Sequence, residues 1–142
     1  MIDGDFVVRA CRPEEAPAVL ALWLQSRSEH ATTADRPLDV QRLLSEESGS
    51  LLVADADGLI LGALIAAWDG WRGNMYRLAV HFEHRRRGVG LALVRAGEKH
   101  LCGRGARRIT ALVAYEDEGA SAFWEAAGYP QDDEIGRRVR NL

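Results

Sequence analysis

One short segment limits the possible folds of this chain more than any other. A strand-like apolar run ends at Val80, three consecutive arginines follow shortly after it, and Gly88-Val89-Gly90 then leads into a helix-like pattern. Glycines in such a turn leave backbone N–H groups uncovered at the start of the helix, where the helix dipole also favours negative charge. The segment therefore predicts a ligand that carries phosphate groups.

Composition is that of a soluble globular protein. The chain has 142 residues, of which 47% are apolar and 27% charged, with a net charge of −3. This length buries a sizeable core, so we expect a single domain over residues 1–142. The negative charge disfavours a nucleic-acid partner, and no apolar run approaches the roughly 20 residues of a membrane span.

The cysteines and the first residues indicate where the protein works. The N-terminal sequence is acidic and lacks a signal-peptide pattern. Cys11 and Cys102 are far apart and form no Cys-x-x-Cys pair, which predicts two free thiols in a reducing cytoplasm. No cysteine or histidine cluster has metal-ligand spacing, so we expect no metal.

Hydrophobic periodicity predicts strands and helices in the order β-α-α-β-β-β-α-β-α-β, hence an α/β domain with a central mixed sheet. The predicted strands are 6–9, 51–54, 59–67, 75–80, 108–114 and 135–140. The predicted helices open at Pro13, at a cap on Asp39, after Gly90 and at Ala120, and residues 26–37 are predicted as a loop. The first helix is expected to bury Ala16, Val19, Leu20, Trp23 and Leu24.

The arginine–glycine turn resembles the acetyl-CoA pyrophosphate loop of the GNAT family of N-acetyltransferases. That family's signature, (Gln/Arg)-x-x-Gly-x-(Gly/Ala), is filled here by Arg85, Gly88 and Gly90. The segment 117–129, DEGASAFWEAAGY, is similar to a later motif of the same family. Two other phosphate-binding motifs are excluded. The glycine segment of this chain lacks the third small residue of the dinucleotide-binding fingerprint, and the chain contains no nucleotide P-loop sequence.

The resemblance implies one GNAT-like domain with a central twisted mixed sheet, flanking helices and two parallel strands that splay apart to form the CoA cleft. It implies acetyl-CoA as cosubstrate, no metal, and acetyl transfer to a primary amine by direct attack. The residues that it places at the cofactor are Leu78, Ala79, Val80, Arg85, Arg86, Arg87, Gly88, Val89, Gly90, Leu91, Asp117 and Trp124.

The sequence departs from the family where a proton is moved. Trp124 stands where many members have a tyrosine that protonates the leaving thiolate, and Leu112 stands where some have a glutamate. The candidate catalytic residues are therefore His81, which ends the strand before the turn, and Tyr115, which follows the second splayed strand. A solvated loop histidine and a packing tyrosine are the alternative interpretations.

Because those family groups are replaced, a non-catalytic acyl-CoA-binding module of the same fold is the alternative function. The acceptor is expected to be a small-molecule amine or a peptide N-terminus. The loop 26–37 and the tip 69–74 are expected to shape its pocket, with Trp68, Asp69 and Trp71 as candidates to line it. Core packing and a dimer contact are the alternative interpretation of the two tryptophans. Exposed sheet edges and loop tryptophans are compatible with a homodimer.

Overall fold

One mixed sheet organises the chain. The computed structural model describes residues 5–26, 34–114 and 117–142. Five strands lie in sequence order, with antiparallel pairing from the first to the fourth and parallel pairing between the fourth and the fifth. The predicted α/β class with a mixed sheet is confirmed. The elements are β1 (Val7–Ala10), a 3-10 turn (Pro13–Glu15), α1 (Ala16–Gln25), α2 (Pro37–Glu46), β2 (Leu51–Ala56), β3 (Leu59–Trp68), β4 (Gly73–Val80), a second 3-10 turn (Phe82–His84), α3 (Val89–Arg104), β5 (Ile109–Ala111) and α4 (Glu118–Ala126).

The chain divides into two compact units. Met1–Leu112 contains the sheet with α1, α2 and α3, and Val113–Leu142 contains α4. The strand predicted over residues 135–140 is wrong, because these residues form no regular structure. Ile135 and Val139 are 72% and 74% exposed. Arginines surround these two apolar side chains, so the segment has little apolar surface with which to offset the entropy of ordering.

The central strand β3 is buried on both faces. Ala63 and Ile65 belong to the same apolar cluster as Val19 and Trp23 of α1. The alternate residues Leu64 and Ala66 approach Gly97 of α3 on the other face. Since successive strand side chains point to opposite faces, the continuous apolar run of β3 places one helix layer on each side of the sheet. α3 thereby holds the glycine turn against the end of β4.

Two details of the predicted helices are wrong. Leu24 is 74% exposed and Leu22 is buried in its place, whereas Ala16, Val19 and Trp23 are buried as predicted. The second helix begins at Pro37, so Asp39 lies inside its first turn and does not cap it. Proline suits this first position because its missing N–H would have no partner there. No helix in the described part of the chain has the length and apolar character of a bilayer span.

The two cysteines are free, as predicted. Cys11 lies in the apolar cluster beneath α1, and burial raises the pKa of its thiol to about 11. Cys102 is exposed on α3. A buried thiol with a raised pKa is poorly ionised at neutral pH and therefore reacts slowly.

A partly buried cluster of charged side chains links β1 to the start of the first helix. Arg9 donates to both carboxylate oxygens of Glu15, at 2.8 and 2.6 Å, and also contacts Asp55 of β2 at 3.1 Å. The backbone N–H of Arg12 donates to Glu15 Oε1 at 2.8 Å. The hydrogen bonds from Arg9 lower the pKa of Glu15 to about 2 against the opposing effect of burial, with a further contribution from the N–H of Arg12.

Replacing Glu15 with glutamine should therefore destabilise the protein in a pH-dependent way. A carboxylate whose pKa is lower in the folded state stabilises above its unfolded pKa and loses that contribution as pH falls through the folded value. We expect a loss of about 1 kcal/mol at pH 7, after solvent screening. The difference from the unchanged protein should shrink between pH 4.5 and pH 2. Urea unfolding at several pH values measures it, with the exposed neighbour changed as Glu14→Gln for control; a difference constant from pH 7 to pH 3 would contradict the assignment.

Candidate active site

The candidate site begins where β4 parts from β5. The two strands pair in parallel over Gly73–Met75 and Ile109–Ala111, and the N–H of Leu112 donates to the carbonyl of Met75 at 3.3 Å. β4 continues to Val80 in pairing with β3 on its other edge. Within the described residues, β5 pairs with β4 no further than this. The predicted splay of two parallel strands is confirmed, and β5 is shorter than the predicted 108–114.

A β-bulge marks the point of divergence. Ile65 pairs with Tyr76 and Ala63 with Ala79, so Arg77 and Leu78 together oppose a single residue of β3. Arg77 has a φ of 55°, in the left-handed region that non-glycine residues seldom adopt. Bulges bend and twist a strand, and they often occur beside active sites. Here the bulge begins two residues after Met75, which forms the last pair with β5.

The end of β4 turns a backbone donor toward the open edge. The N–H of His81 donates to the carbonyl of Leu61 at 2.8 Å, and Val80 pairs with Gly62. In an antiparallel ladder the direction of the backbone groups alternates, so the N–H and C=O of Val80 point away from β3. Arg85 Nε donates to this carbonyl at 3.2 Å. The N–H of Val80 therefore faces the edge that β5 leaves open.

The glycine turn ends at a helix N-terminus with free donors. Gly88 precedes α3 with a φ of 81°, and the first intrahelical bond runs from the N–H of Ala92 to its carbonyl at 3.0 Å. The N–H groups of Val89, Gly90 and Leu91 therefore have no acceptor within the helix. A Cβ built on Gly88 would meet no atom within 4 Å. This is the geometry that binds an anion at the start of a helix.

Three exposed arginines surround these donors, and they differ in geometry. Arg85 is hydrogen-bonded to the end of β4, as described above. Arg86 has a φ of 64°, so the backbone turns sharply there. Arg87 lies 3.4 Å from the imidazole of His84, measured between Nη1 and Nδ1. Guanidinium groups form charge-assisted hydrogen bonds with phosphate, so the turn supplies positive charge on the side of the free N–H groups.

Histidines on the same turn form a cluster that sequence spacing did not reveal. The ligand atoms of His81, Glu83 and His84 lie within 4.8 Å of one another. The Nδ1 of His81 accepts the N–H of Glu83 at 3.2 Å, and the Nδ1 of His84 faces Arg87. Both nitrogens are thus already engaged, and an arginine borders the cluster. These contacts give the three residues a structural role in shaping the turn.

The residues predicted from the later motif lie in the second unit. Asp117 caps α4, since its Oδ1 accepts the N–H of Ala120 at 2.9 Å. Trp124 is buried and makes edge-to-face contacts with Phe123 and Tyr129, at centroid distances of 5.5 and 5.2 Å. Tyr115 lies outside the described residues. The proposed cofactor roles of Asp117 and Trp124 stay predictions.

The β3–β4 hairpin carries the residues expected at the acceptor pocket. Asp69 Oδ1 accepts the N–H groups of Arg72 and Trp71, at 2.6 and 2.8 Å, and these bonds lower the pKa of its carboxyl. Trp71 is 83% exposed. The carboxylate of Asp69 therefore shapes the turn, and the indole of Trp71 is free of the core. Neither side chain approaches the glycine turn through any contact that the structure shows.

Comparison with known proteins agrees with this geometry. The sequence model of the acetyltransferase (GNAT) family matches residues 16–129. An acetyltransferase of Yersinia pestis (strain Pestoides F) is 30% identical over 138 residues, which cover 93% of this chain and 94% of the relative. The chain belongs to the GNAT family of acetyltransferases.

Solved structures show the same fold. The aminoglycoside N-acetyltransferase AAC(6')-Iy in complex with CoA superposes with a TM-score of 0.79 at 18% identity, over 96% of this chain and 95% of that one. The aminoglycoside acetyltransferase meta-AAC0020, from an uncultured soil metagenomic sample and in complex with sisomicin, gives 0.79 at 17% identity over 100% and 99%. At these identities the likeness concerns the fold.

Proposed function

We propose that the chain is an acetyl-CoA-dependent N-acetyltransferase that transfers an acetyl group to a primary amine by direct attack. One observation carries the proposal, namely that two features which fit acetyl-CoA follow each other along one segment of the chain. β4 presents an open edge that ends at Val80, and the chain then passes through three arginines to the free N–H groups of α3. Family membership and the CoA complex of the fold neighbour AAC(6')-Iy support it.

The residues of the turn fit a pyrophosphate. The N–H groups of Val89, Gly90 and Leu91 converge at the start of α3, where the helix dipole also favours negative charge. Arg86 and Arg87 add positive charge, and both side chains are exposed. Gly88 keeps the approach clear, since it places no side chain beside these donors.

Residues of β4 fit an extended ligand that carries a carbonyl. Acetyl-CoA supplies an activated acetyl thioester when it binds. Val80 points its N–H to the open edge, where it can polarise a thioester carbonyl and stabilise the developing oxyanion. Ala79 directs its own backbone groups to β3, through its pair with Ala63. Leu78 and Val80 therefore flank the arm of the ligand, and Ala79 holds the strand in place.

His81 and Tyr115 are the candidates that we propose for proton transfer. The Nδ1 of His81 accepts a hydrogen bond from the N–H of Glu83, so its neutral form carries a proton on Nε2. To act as a base at Nδ1, His81 would have to release that bond. Water can instead carry the amine proton away, since the family's usual tyrosine and glutamate are replaced by Trp124 and Leu112.

The acceptor that we propose is a small-molecule amine or a peptide N-terminus in the cytoplasm. The aminoglycoside acetyltransferases among the fold neighbours support the first of these. The two free cysteines support a reducing compartment. Trp71 offers an exposed indole on the hairpin for contact with such an acceptor.

The test combines binding and turnover. Calorimetric titration of the purified protein with acetyl-CoA should show saturable binding, and CoA release should appear with at least one member of a panel of aminoglycosides, amino acids and short peptides. Blocking the primary amines of that acceptor should abolish release. Absence of acetyl-CoA binding would overturn the proposal. Tight binding without CoA release over the whole panel would instead identify a non-catalytic acyl-CoA module.

A further inference from the structure

The bulge of β4 is held by two contacts that the proposed chemistry does not use. The backbone carbonyl of Arg77 accepts the indole N–H of Trp23 at 2.9 Å. The guanidinium of the same residue is ion-paired to Asp35, with Nη2 and Oδ1 at 2.7 Å. Trp23 is 5% exposed in α1, and Asp35 directly precedes the residues that open α2. We call these two contacts the bulge anchor.

The ion pair of the bulge anchor differs from the surface pairs of the protein. The side chains of Arg77 and Asp35 are 31% and 14% exposed, whereas those of Arg36 and Asp39 are 69% and 44% exposed. Exposed pairs contribute little, because water and salt screen them. The pair of Arg77 and Asp35 is partly buried, so fewer water molecules compete for its hydrogen bond than at the surface pair.

The bulge anchor holds Arg77 in a backbone conformation that is unfavourable for a non-glycine residue. A non-glycine residue with a φ of 55° is strained, and such strain persists only where surrounding contacts impose it. β4 leaves β5 close to this bulge, and Val80 follows Arg77 by three residues. The direction of that N–H therefore depends on the conformation of Arg77.

We propose that Arg77 is a positioning residue, whose ion pair with Asp35 holds the bulge in the conformation that aims the Val80 N–H at the thioester carbonyl. The inference rests on the proposed acetyl-CoA site. Arg77 lies within β4, outside the arginine–glycine turn that is proposed to hold the phosphates. Its loss should change the polarisation of the carbonyl much more than the affinity for acetyl-CoA, because the turn before α3 supplies the phosphate contacts.

Two variants remove the ion pair from opposite ends. Arg77→Gln deletes the guanidinium and keeps a non-glycine residue at the strained positive φ. Asp35→Asn deletes the negative charge and keeps nearly the same shape. Asp57→Gln places the same residue at a comparable φ of 50° in the β2–β3 turn, and Asp39→Asn breaks the exposed pair beside α2, so these two serve as matched controls.

The readout needs no acceptor. Isotope-edited infrared spectroscopy of acetyl-CoA labelled with ¹³C at the acetyl carbonyl reports the polarisation of that bond in the complex. The bound carbonyl band of the unchanged protein should lie at lower frequency than that of free acetyl-CoA. In Arg77→Gln and Asp35→Asn we expect at least about half of this shift to be lost, with Kd within about threefold. The two controls should keep the full shift.

The outcomes separate this inference from the function on which it rests. If the unchanged protein fails to bind acetyl-CoA, the proposed function itself is wrong. If it binds and both ion-pair variants keep the full carbonyl shift, Arg77 has no positioning role. A tenfold weaker Kd with an unaltered carbonyl band would also overturn the inference, since it would place Arg77 in ligand affinity. Should Arg77→Gln fail to fold, Asp35→Asn alone decides.

Discussion

Replacing Gly88 with valine should weaken acetyl-CoA binding about 100-fold, which corresponds to losing one or two hydrogen bonds to a charged group. Gly88 has a φ of 81° and stands directly before the free N–H groups of Val89 and Gly90. No protein atom lies within 4 Å of a Cβ built there. The new side chain would therefore occupy the space that the proposed pyrophosphate needs. Calorimetric titration measures the change in Kd.

A second glycine provides the control for backbone strain. Gly58, in the β2–β3 turn, has a φ of 90° and is equally open, with nothing within 4 Å of a built Cβ. Gly58→Val and Gly88→Val should each lose about 1–2 kcal/mol of unfolding free energy from the left-handed conformation. Only Gly88→Val should lose affinity. If the two variants bound acetyl-CoA with equal affinity, the turn would have no role in binding the phosphates.

Replacing Gly62 with valine should destabilise the fold by about 3 kcal/mol, the upper part of the range for overpacked cores. A Cβ on Gly62 would lie 2.9 Å from the backbone oxygen of Ala79, 3.0 Å from Leu93 and 3.2 Å from Val89. The backbone oxygen cannot rotate away, so β4 or α3 must move. Urea unfolding measures the loss, and Gly62→Ala should show a smaller one.

Gly103, near the end of α3, is the control for that substitution. A Cβ there meets nothing within 4 Å. Gly103→Ala should leave stability unchanged or raise it by about 0.5–1 kcal/mol, because alanine has the better helix propensity. If Gly62→Val were as stable as the unchanged protein, the close approach of α3 and the end of β4 to residue 62 would not be the reason for a glycine there.

The local chemistry of the turn made it predictable from sequence. Arg85, Gly88 and Gly90 indicate an anion site because the features that such a site needs lie within a few sequence positions. These features are uncovered backbone N–H groups, positive charge and a following helix. β3 was equally clear, since a long apolar run that is bounded by a turn signal indicates a strand buried on both faces.

Features set by distant contacts could not be predicted in the same way. An arginine in a strand gives no sign of a left-handed φ, and Arg77 adopts one through contacts with Trp23 and Asp35, which are 54 and 42 positions away in the sequence. β5 is shorter than predicted, since its pairing with β4 ends at Met75 and Ala111. The sequence showed apolar residues through 114, but pairing depends on the partner strand. The predicted terminal strand failed because apolar residues without an opposing surface do not make a strand.

The open edge of β4 also bears on how the protein behaves in solution without its ligand. A strand edge with unpaired backbone groups is a template on which another chain can add, and natural proteins protect such edges with charge and with bulges. This edge has both, with Arg77 at the bulge and Arg85 hydrogen-bonded to the carbonyl of its last residue. The groups that prepare the strand for an extended ligand thus also guard it against self-association.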